Sequence, residues 1–182
     1  MSKAVENKAK KIKLIATDID GVWTDSKMYY TDSGEYMKGF STYDGMATSL
    51  LKKNNIEVAI LTSEKSNIVK ERAKKLNIKY VYINEKEKLL RMEYLCNRLG
   101  ISLSEVAYIG DGLVDIPVME KVGVSFTVPN AHQMVKDVAD HMTSRSGGNG
   151  AFREVVDFIL KEKGIFKKVH AKMKKNIYKS ND

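Results

Sequence analysis

Two carboxylates one residue apart end an apolar run near the start of the chain. The run covers residues 14–17 and is followed by Asp18, Ile19, Asp20 and Gly21. A buried strand would present both carboxylates at its end, because alternate side chains of a strand share a face. A carboxylate can attack phosphorus when a divalent cation and fixed positive groups neutralise the phosphoryl oxygens. We therefore interpret Asp18 as a nucleophile and Asp20 as a general acid and then base.

Three further polar residues follow other apolar runs. Thr62 and Asp111 fall at the ends of two predicted strands, and Lys88 lies shortly after a third. In an open parallel sheet, ligands bind beyond the carboxyl ends of the strands, so these residues would share one edge. Asp and Gly are also common turn formers, and the Asp-Xaa-Asp-Gly pattern alone is equally compatible with a turn. A turn does not explain why the other polar residues fall at strand ends.

The carboxylates together predict a metal site. Asp111 would complete a set of hard oxygen ligands with the Asp18 carboxylate and the main-chain carbonyl of Asp20, which suits Mg²⁺. Asp115, one helical turn further on, is expected to support these ligands rather than bind the ion. Taken alone, Asp111 could also be an ordinary turn residue.

Thr62 and Lys88 are the predicted phosphate-binding groups. The Thr62 hydroxyl can donate to a phosphoryl oxygen, and Lys88 can neutralise the charge of the phosphoryl group and of an aspartyl-phosphate. Each has a simpler alternative, since Thr62 could cap a helix and Lys88 could be one of many solvated lysines. The order of all these groups along the chain favours the phosphate site.

Strands alternate with helices along the chain, which predicts an α/β fold with a mostly parallel sheet and helices on both faces. Apolar runs predict strands over 14–17, 56–63, 80–83, 106–109 and 122–128, with an edge strand over 141–143. Helical spacing predicts a helix with Met46, Leu50 and Leu51 inward and further helices over 66–76, 86–99, 131–138 and 151–161. Gly100 is expected to end the helix over 86–99.

A β-hairpin is predicted between the first strand and the first of these helices. Residues 27–31 and 35–40 flank Asp32, Ser33 and Gly34, which have the composition of a tight turn. We expect this hairpin, residues 27–41, to act as a flap over the carboxylates.

Length and composition predict one domain over residues 1–182. No run approaches a membrane span, and no apolar stretch follows the basic N-terminus as in a signal peptide, so we expect a cytoplasmic protein. The single Cys96 excludes an intramolecular disulfide and is expected to be buried. The net charge of +8 comes from a basic N-terminal extension, 1–12, and a basic C-terminal tail, 164–182. Such ends are usually solvated, and we expect no nucleic-acid partner.

The combination of Asp18-Ile-Asp20-Gly, Thr62, Lys88 and the Gly110–Asp115 stretch resembles the haloacid dehalogenase superfamily of phosphatases. The order and spacing of these motifs cover nearly the whole chain. The resemblance implies a three-layer, Rossmann-like fold and hydrolysis through phospho-Asp18.

Further features resemble the capless group of 3-deoxy-2-ulosonic acid phosphate phosphatases. They are the hairpin in place of a cap domain, the pattern Gly34-Glu35, Lys38, Phe40 and Asp44-Gly45, the stretch 117–119 and the glycine-rich stretch 147–154. This group includes phosphatases of 3-deoxy-D-manno-octulosonate (KDO) 8-phosphate and of nine-carbon relatives. Resemblance to this group implies that the chain forms a Mg²⁺-dependent homotetramer in which a neighbouring subunit closes each site.

The residues after the second strand bear on the substrate. The octulosonate enzymes usually have Thr-Gly-Arg where this chain has Thr62-Ser63-Glu64. Glu64, Lys75 and Trp23 look more like phosphatases of 2-keto-3-deoxy-D-glycero-D-galacto-nononate (KDN) 9-phosphate or N-acetylneuraminate 9-phosphate. We therefore expect a nine-carbon substrate, with KDO 8-phosphate as the alternative. Glu64 and Lys75 could equally belong to a solvated helix face.

Two further expectations rest on the resemblance. Gly112 stands where relatives often have a second Asp, and we expect Asp111 to suffice for the metal. Arg153 and the Lys-rich tail would approach the sugar acid, whose carboxylate suits a guanidinium. Equally, residues 147–150 could be a plain loop and Arg153 an exposed residue in the first turn of a helix.

Two other classes of function compete with a phosphatase. Related domains are fused to sugar nucleotidyltransferases, so a non-catalytic tetramerisation or assembly module is one alternative. A phospho-accepting signalling domain is another, because it also uses Asp, Lys and Mg²⁺ in a parallel sheet. Asp20 disfavours the signalling domain, since an acid/base beside a phospho-aspartate promotes its hydrolysis.

Overall fold

A six-stranded parallel sheet forms the centre of the structure, a computed structural model that describes residues 3–171. The strands in chain order are β1 (Leu14–Thr17), β2 (Tyr29–Thr31), β3 (Gly34–Met37), β4 (Glu57–Leu61), β5 (Tyr80–Tyr82), β6 (Val106–Ile109), β7 (Val124–Thr127) and β8 (His141–Met142). The main sheet has the order β5-β4-β1-β6-β7-β8, and every neighbouring pair is parallel. The predicted α/β class and parallel sheet are confirmed, with β8 at the edge.

The register of β1 with its neighbours fixes where the polar residues lie. Thr17 is opposite Ile60 of β4 and Ile109 of β6. The residues that follow these strands therefore meet at one edge of the sheet. All four residues of β1 are buried, because helices cover both faces of a parallel sheet.

The helices lie on both faces of the main sheet. They are α1 (Lys3–Ala9), α2 (Thr42–Lys52), α3 (Asn67–Lys75), α4 (Lys88–Leu99), α5 (Ile116–Met119), α6 (Gln133–Val138) and α7 (Ala151–Glu162), with short 3₁₀ helices at Leu103–Glu105 and Leu113–Asp115. Helix α7 contacts α1 and α2, and α5 contacts α4 and α6. None of the helices within residues 3–171 is long and apolar enough to cross a lipid bilayer.

The N-terminal extension differs from the expected solvated segment. Residues 3–9 form α1, in which Val5 and Ala9 are buried and which contacts α7. An apolar pair four residues apart lies on one face of a helix, and packing on α7 stabilises that helix despite its lysines. Of the predicted C-terminal tail, residues 166–171 are helical with Val169 buried, and residues 172–182 lie outside the described part of the chain.

Two details of the predicted helices were wrong. Helix α2 buries Ala47, Leu50 and Leu51, whereas Met46 is 49% exposed. Met46 and Leu50 also have helical spacing, so the sequence pattern did not distinguish the two faces. Helix α4 begins at Lys88, so Lys86 precedes it. Gly100 ends α4 in the left-handed conformation, with a φ angle of 65°.

A β-hairpin forms within residues 27–41, apart from the main sheet. Strands β2 and β3 are antiparallel and shorter than the sequence pattern predicted, with a register irregularity between Tyr29 and Tyr30. Gly34 is the first residue of β3 and has a φ angle of 110°, which favours glycine. Most hairpin side chains are exposed, and Lys38, just after β3, is buried.

Candidate active site

Asp18 and Asp111 lie side by side at the edge of the sheet where β1 and β6 end. Asp18 is buried, and its Oδ1 accepts a hydrogen bond of 2.7 Å from the Ile19 backbone N–H. Gly21 turns the chain with a φ angle of 90°, and a Cβ on it would lie 1.8 Å from Asp111 Oδ2. The Gly21 backbone can therefore approach the Asp111 carboxylate because Gly21 has no side chain.

Lys88 is a buried cation beside Asp18. Its Nζ lies 3.0 Å from Asp18 Oδ2 and 2.6 Å from Asp115 Oδ1, and the side chain is shielded from solvent. Burial alone would lower the pKa of Lys88, but Asp18 and Asp115 outweigh burial and raise it. Lys88 is therefore a fixed positive charge, and the alternative of a solvated lysine is excluded.

The Asp115 carboxylate is fully hydrogen-bonded. Oδ1 accepts from Lys88 Nζ and from Tyr108 Oη, both at 2.6 Å. Oδ2 accepts from the backbone N–H groups of Asp111 at 3.1 Å and Gly112 at 3.0 Å. A carboxylate has about four acceptor positions, so none remains for a cation. Asp115 holds Lys88 and the loop after β6 in place. Tyr108, a buried residue of β6, was not singled out from the sequence.

The carboxylates fit a divalent cation. Oxygen atoms of Asp18, Asp111 and Asp115 lie within 4.8 Å of one another. Burial and the neighbouring Asp115 raise the pKa of Asp18 to about 8, although Lys88 opposes this, and they raise the pKa of Asp111 to about 7. Carboxylates that resist ionisation in one small space indicate a place where a positive charge would be stabilised. Because the Asp115 oxygens are taken, Asp18 and Asp111 are the available ligands.

Thr62 follows β4 and is buried beside the same edge of the sheet. Its backbone N–H donates to the Tyr82 carbonyl at 2.9 Å, and its Oγ1 accepts from the Glu64 N–H at 3.4 Å. The hydroxyl proton therefore remains available to donate. The N-cap of α3 is Ser66, whose Oγ accepts from the Val69 N–H, so the helix-cap alternative for Thr62 is excluded.

Asp20 is held by a residue to which the sequence pattern gave no role. Lys38 Nζ contacts Asp20 Oδ1 and lies 3.0 Å from Glu35 Oε1. Burial alone would lower the pKa of Lys38, but hydrogen bonds with Asp20 and Glu35 raise it overall. The other oxygen of Glu35 accepts from Ser66 Oγ, at the start of α3. The Gly34-Glu35 and Lys38 pattern was the sequence signal for this network.

Two of the residues on which the nine-carbon expectation rested, Lys75 and Trp23, have other roles in the structure. Lys75 is the exposed last residue of α3, and the next residue, Leu76, lies near Ile56 at the opposite edge of the sheet. Trp23 is fully buried, its ring centroid is 4.7 Å from that of Phe152, and its Nε1 donates to Thr17 Oγ1. Trp23 is therefore a core residue.

Glu64 and Arg153 lie nearer the site end of the sheet but do not contact Asp18. Glu64 is exposed beyond Thr62. The Arg153 guanidinium lies 2.8 Å from Asp157 on the same helix and 3.0 Å from His170 Nε2, which follows that helix. The predicted approach of the tail to the substrate concerns mainly residues 172–182, which lie outside the described residues.

The glycine-rich segment, residues 147–150, packs against the loop that follows Asp20. A Cβ on Gly147 would lie 1.8 Å from the Gly21 carbonyl oxygen. Gly147 donates to Asn130 Oδ1 at 2.9 Å, Asn130 Nδ2 donates to the Gly21 carbonyl at 3.3 Å, and Gly148 donates to the Val22 carbonyl at 3.0 Å. The segment thus supports residues 21–22 within its own chain.

Comparisons with known proteins agree with this arrangement. The family model of haloacid dehalogenase-like hydrolases matches residues 8–155. A 3-deoxy-D-manno-octulosonate 8-phosphate phosphatase of Salmonella typhi is 41% identical over 164 residues, which are 90% of this chain and 87% of that protein. The relatives reported are octulosonate phosphatases, so the expectation of a nine-carbon substrate, drawn from Glu64, Lys75 and Trp23, is not supported.

Two similar solved structures are also octulosonate phosphatases. The 3-deoxy-D-manno-octulosonate 8-phosphate phosphatase of Moraxella catarrhalis, crystallised with magnesium, phosphate and KDO, has a TM-score of 0.91 and 38% identity, covering 95% of this chain and 99% of that one. The Yersinia pestis phosphatase of the same name has a TM-score of 0.89 and 36% identity, covering 92% and 90%. The chain therefore belongs to the haloacid dehalogenase-like hydrolases, in the group that contains the 3-deoxy-D-manno-octulosonate 8-phosphate phosphatases.

Proposed function

We propose that this chain is a Mg²⁺-dependent phosphatase that hydrolyses 3-deoxy-D-manno-octulosonate 8-phosphate through a phospho-Asp18 intermediate. The observation that carries the proposal is the buried Lys88 between Asp18 and Asp115, beside the Asp111 carboxylate. The similarity to octulosonate phosphatases supports the eight-carbon substrate. An assembly module would need neither a buried lysine on Asp18 nor the carboxylates around it.

Asp18, Asp111 and the main-chain carbonyl of Asp20 would hold the metal. Bound Mg²⁺ would supply positive charge that stabilises the phosphoryl oxygens and favours the ionised Asp18 carboxylate. Lys88 adds a second positive charge next to the nucleophile, and Thr62 can donate its hydroxyl proton to a phosphoryl oxygen.

Asp18 and Asp20 divide the chemistry of both steps. In the first step an Asp18 oxygen attacks phosphorus, the bond to the sugar oxygen breaks, and Asp20 gives its proton to that oxygen. In the second step Asp20 takes a proton from water, the water oxygen attacks phosphorus, and the bond to Asp18 breaks. Inorganic phosphate leaves and Asp20 is protonated again, so the cycle closes.

Phosphate release from KDO 8-phosphate tests the proposal. The purified chain with Mg²⁺ should release phosphate, and EDTA should stop the release. Asp18→Asn should lower turnover by roughly a thousandfold or more, because the nucleophile is lost. Asp25→Asn is the matched control, since Asp25 belongs to the same stretch but its side chain is 49% exposed, and it should leave turnover near the wild-type value.

Two outcomes would contradict the proposal. Equal turnover of the Asp18→Asn and wild-type chains would exclude the phospho-Asp18 route. A clear preference for N-acetylneuraminate 9-phosphate over KDO 8-phosphate would exclude the eight-carbon substrate while leaving the phosphatase chemistry in place.

A further inference from the structure

The hairpin provides one buried charge to the site. Lys38 follows β3 directly, and its side chain is shielded from solvent, whereas all three residues of β2 are exposed. A buried lysine needs partners, because an unpaired charge away from water is strongly unfavourable. Its partners are therefore informative about what the hairpin does.

Lys38 connects Asp20 to the start of α3. Its Nζ contacts Asp20 Oδ1 and lies 3.0 Å from Glu35 Oε1, and Glu35 Oε2 accepts from Ser66 Oγ. Ser66 is in turn fixed as the N-cap of α3 by the 3.3 Å bond from the Val69 N–H. The position of Lys38 is thus set by the hairpin and by a helix of the main fold.

Only one oxygen of Asp20 is occupied in this network. Asp20 Oδ2 is buried and has no hydrogen-bond partner among the described residues. A carboxylate fixed at one oxygen has a defined plane, and its second oxygen is free to carry a proton. This is the arrangement that a general acid and base requires.

We propose that Lys38 is a positioning residue for Asp20: through its contact with Oδ1 it holds this carboxylate, from the hairpin, in the orientation for proton transfer. The inference rests on the proposed phosphatase function. Loss of Lys38 would impair the step in which Asp20 gives its proton to the departing sugar oxygen. It would also impair the step in which Asp20 takes a proton from water.

The two proton transfers predict a dependence on the leaving group. The value of kcat/KM reports steps up to the departure of the leaving group, whereas kcat also includes hydrolysis of phospho-Asp18. An alkyl oxygen such as that of KDO 8-phosphate needs the proton, but the p-nitrophenolate ion of p-nitrophenyl phosphate leaves without one. A merely structural role for Lys38 would affect kcat/KM of both substrates equally.

Lys38→Met, which keeps the length of the side chain and removes its charge, provides the test in the full-length protein with Mg²⁺. We expect kcat/KM for KDO 8-phosphate to fall by about 100-fold and that for p-nitrophenyl phosphate by less than about threefold. The kcat values of both substrates should fall. With p-nitrophenyl phosphate, for which formation of phospho-Asp18 is not impaired, this intermediate should accumulate on acid quenching. Lys27→Met, an exposed lysine of the same hairpin, is the matched control and should change none of these values.

Equal losses of kcat/KM for the two substrates in a folded Lys38→Met protein would overturn the inference. If Lys38→Met does not fold, Glu35→Gln gives the same test, because it removes the charge that aligns Lys38 from the opposite side. Equal losses in Glu35→Gln would overturn the inference as well. A wild-type chain that hydrolyses neither substrate would overturn the proposed function and this inference with it. An active wild-type chain, together with equal losses of kcat/KM for the two substrates in the variant, would overturn this inference alone.

Discussion

Asp111 and Asp115 are close in the structure but have different surroundings, which predicts different effects of the same substitution. Asp111→Asn should raise the Mg²⁺ dissociation constant by about tenfold or more, because it removes a ligand charge. Asp115→Asn should change this constant much less, because its oxygens are already hydrogen-bonded. Titration calorimetry with Mg²⁺ on each variant measures the difference.

Asp115→Asn should instead destabilise the fold. It leaves Lys88 with one buried partner where it had two and sets an amide against backbone donors, which should cost about 3 kcal/mol in the free energy of unfolding. Urea denaturation provides this measurement. An Asp115→Asn protein that is as stable as the wild type but no longer binds Mg²⁺ would show that Asp115 is a ligand.

At the scale of single residues, the sequence was sufficient where position along a strand decides the environment. Asp18, Thr62 and Asp111 follow strands, and the parallel register brings those strand ends together. Tyr108 was not singled out because a tyrosine in a buried apolar strand is typical of a core residue, and nothing in that pattern indicates its bond to Asp115. Lys38 was given no role because its partner Asp20 lies on a separate segment, a contact that neither periodicity nor turn composition reveals. Cys96 was predicted to be buried and is, and burial raises the pKa of its thiol to about 11.

At the scale of elements, Asp44 joins the starts of two helices. It lies in the first turn of α2, and its Oδ1 accepts from the Arg153 N–H, in the first turn of α7, at 2.8 Å. Its Oδ2 is buried without a hydrogen-bond partner among the described residues. Burial raises the pKa of Asp44 to about 6, although the backbone donors of Arg153 and Gly150 oppose this.

The raised pKa of Asp44 predicts how stability depends on pH. Because the folded state binds the proton more tightly than the unfolded state, the contribution is present at low pH and is lost as pH rises through about 6. The Asp44→Asn variant does not lose stability in this way as pH rises, because an asparagine side chain does not titrate. Its stability relative to the wild type should therefore increase by about 1.4 kcal/mol between about pH 5 and pH 7.5, as measured by urea denaturation.

The matched control for Asp44 is Asp32→Asn in the exposed hairpin turn, whose stability relative to the wild type should not change over this range. A relative stability of Asp44→Asn that stays constant with pH would mean that Asp44 is ionised in both the folded and the unfolded state. Asp44 would then join the two helices through its hydrogen bond with the Arg153 N–H, without a contribution that changes with pH.

Elements with a strong apolar pattern were predicted, and those that depend on tertiary contacts were not. The strands of the main sheet and the helices α3, α4, α6 and α7 correspond to predicted segments within a few residues. Helix α1 has only two buried apolar residues in seven, so its helical pattern is weak without α7. The four-residue helix α5 is shorter than the window in which helical periodicity can be recognised.

At the scale of the whole molecule, the hairpin exposes a set of large apolar side chains: Met28, Tyr29, Tyr30, Tyr36 and Met37. An exposed apolar patch of this kind is typical of a surface that contacts another protein. We therefore retain the homotetramer as a prediction. Light scattering should give a mass of about 82 kDa, four times the 20.5 kDa of one chain.

Tyr36→Glu should lower this mass, because it puts a charge into the apolar surface; Tyr36 is 70% exposed. Leu90→Glu on α4 is the control, since Leu90 is exposed at 58% but lies outside the hairpin, and the mass should not change. A wild-type mass of one chain would contradict the tetramer and would mean that the hairpin surface remains in contact with water.

The contact of the glycine-rich segment with residues 21–22 has a consequence for synthesis of the chain. The loop that carries Asp20 leaves the ribosome before its supports at Asn130, Gly147 and Gly148, which come more than a hundred residues later. At ordinary translation rates this interval is roughly ten seconds. During that time the nascent chain carries Asp18 and Asp20 without the segments that support the loop after Asp20, so we expect an unfinished chain to be inactive.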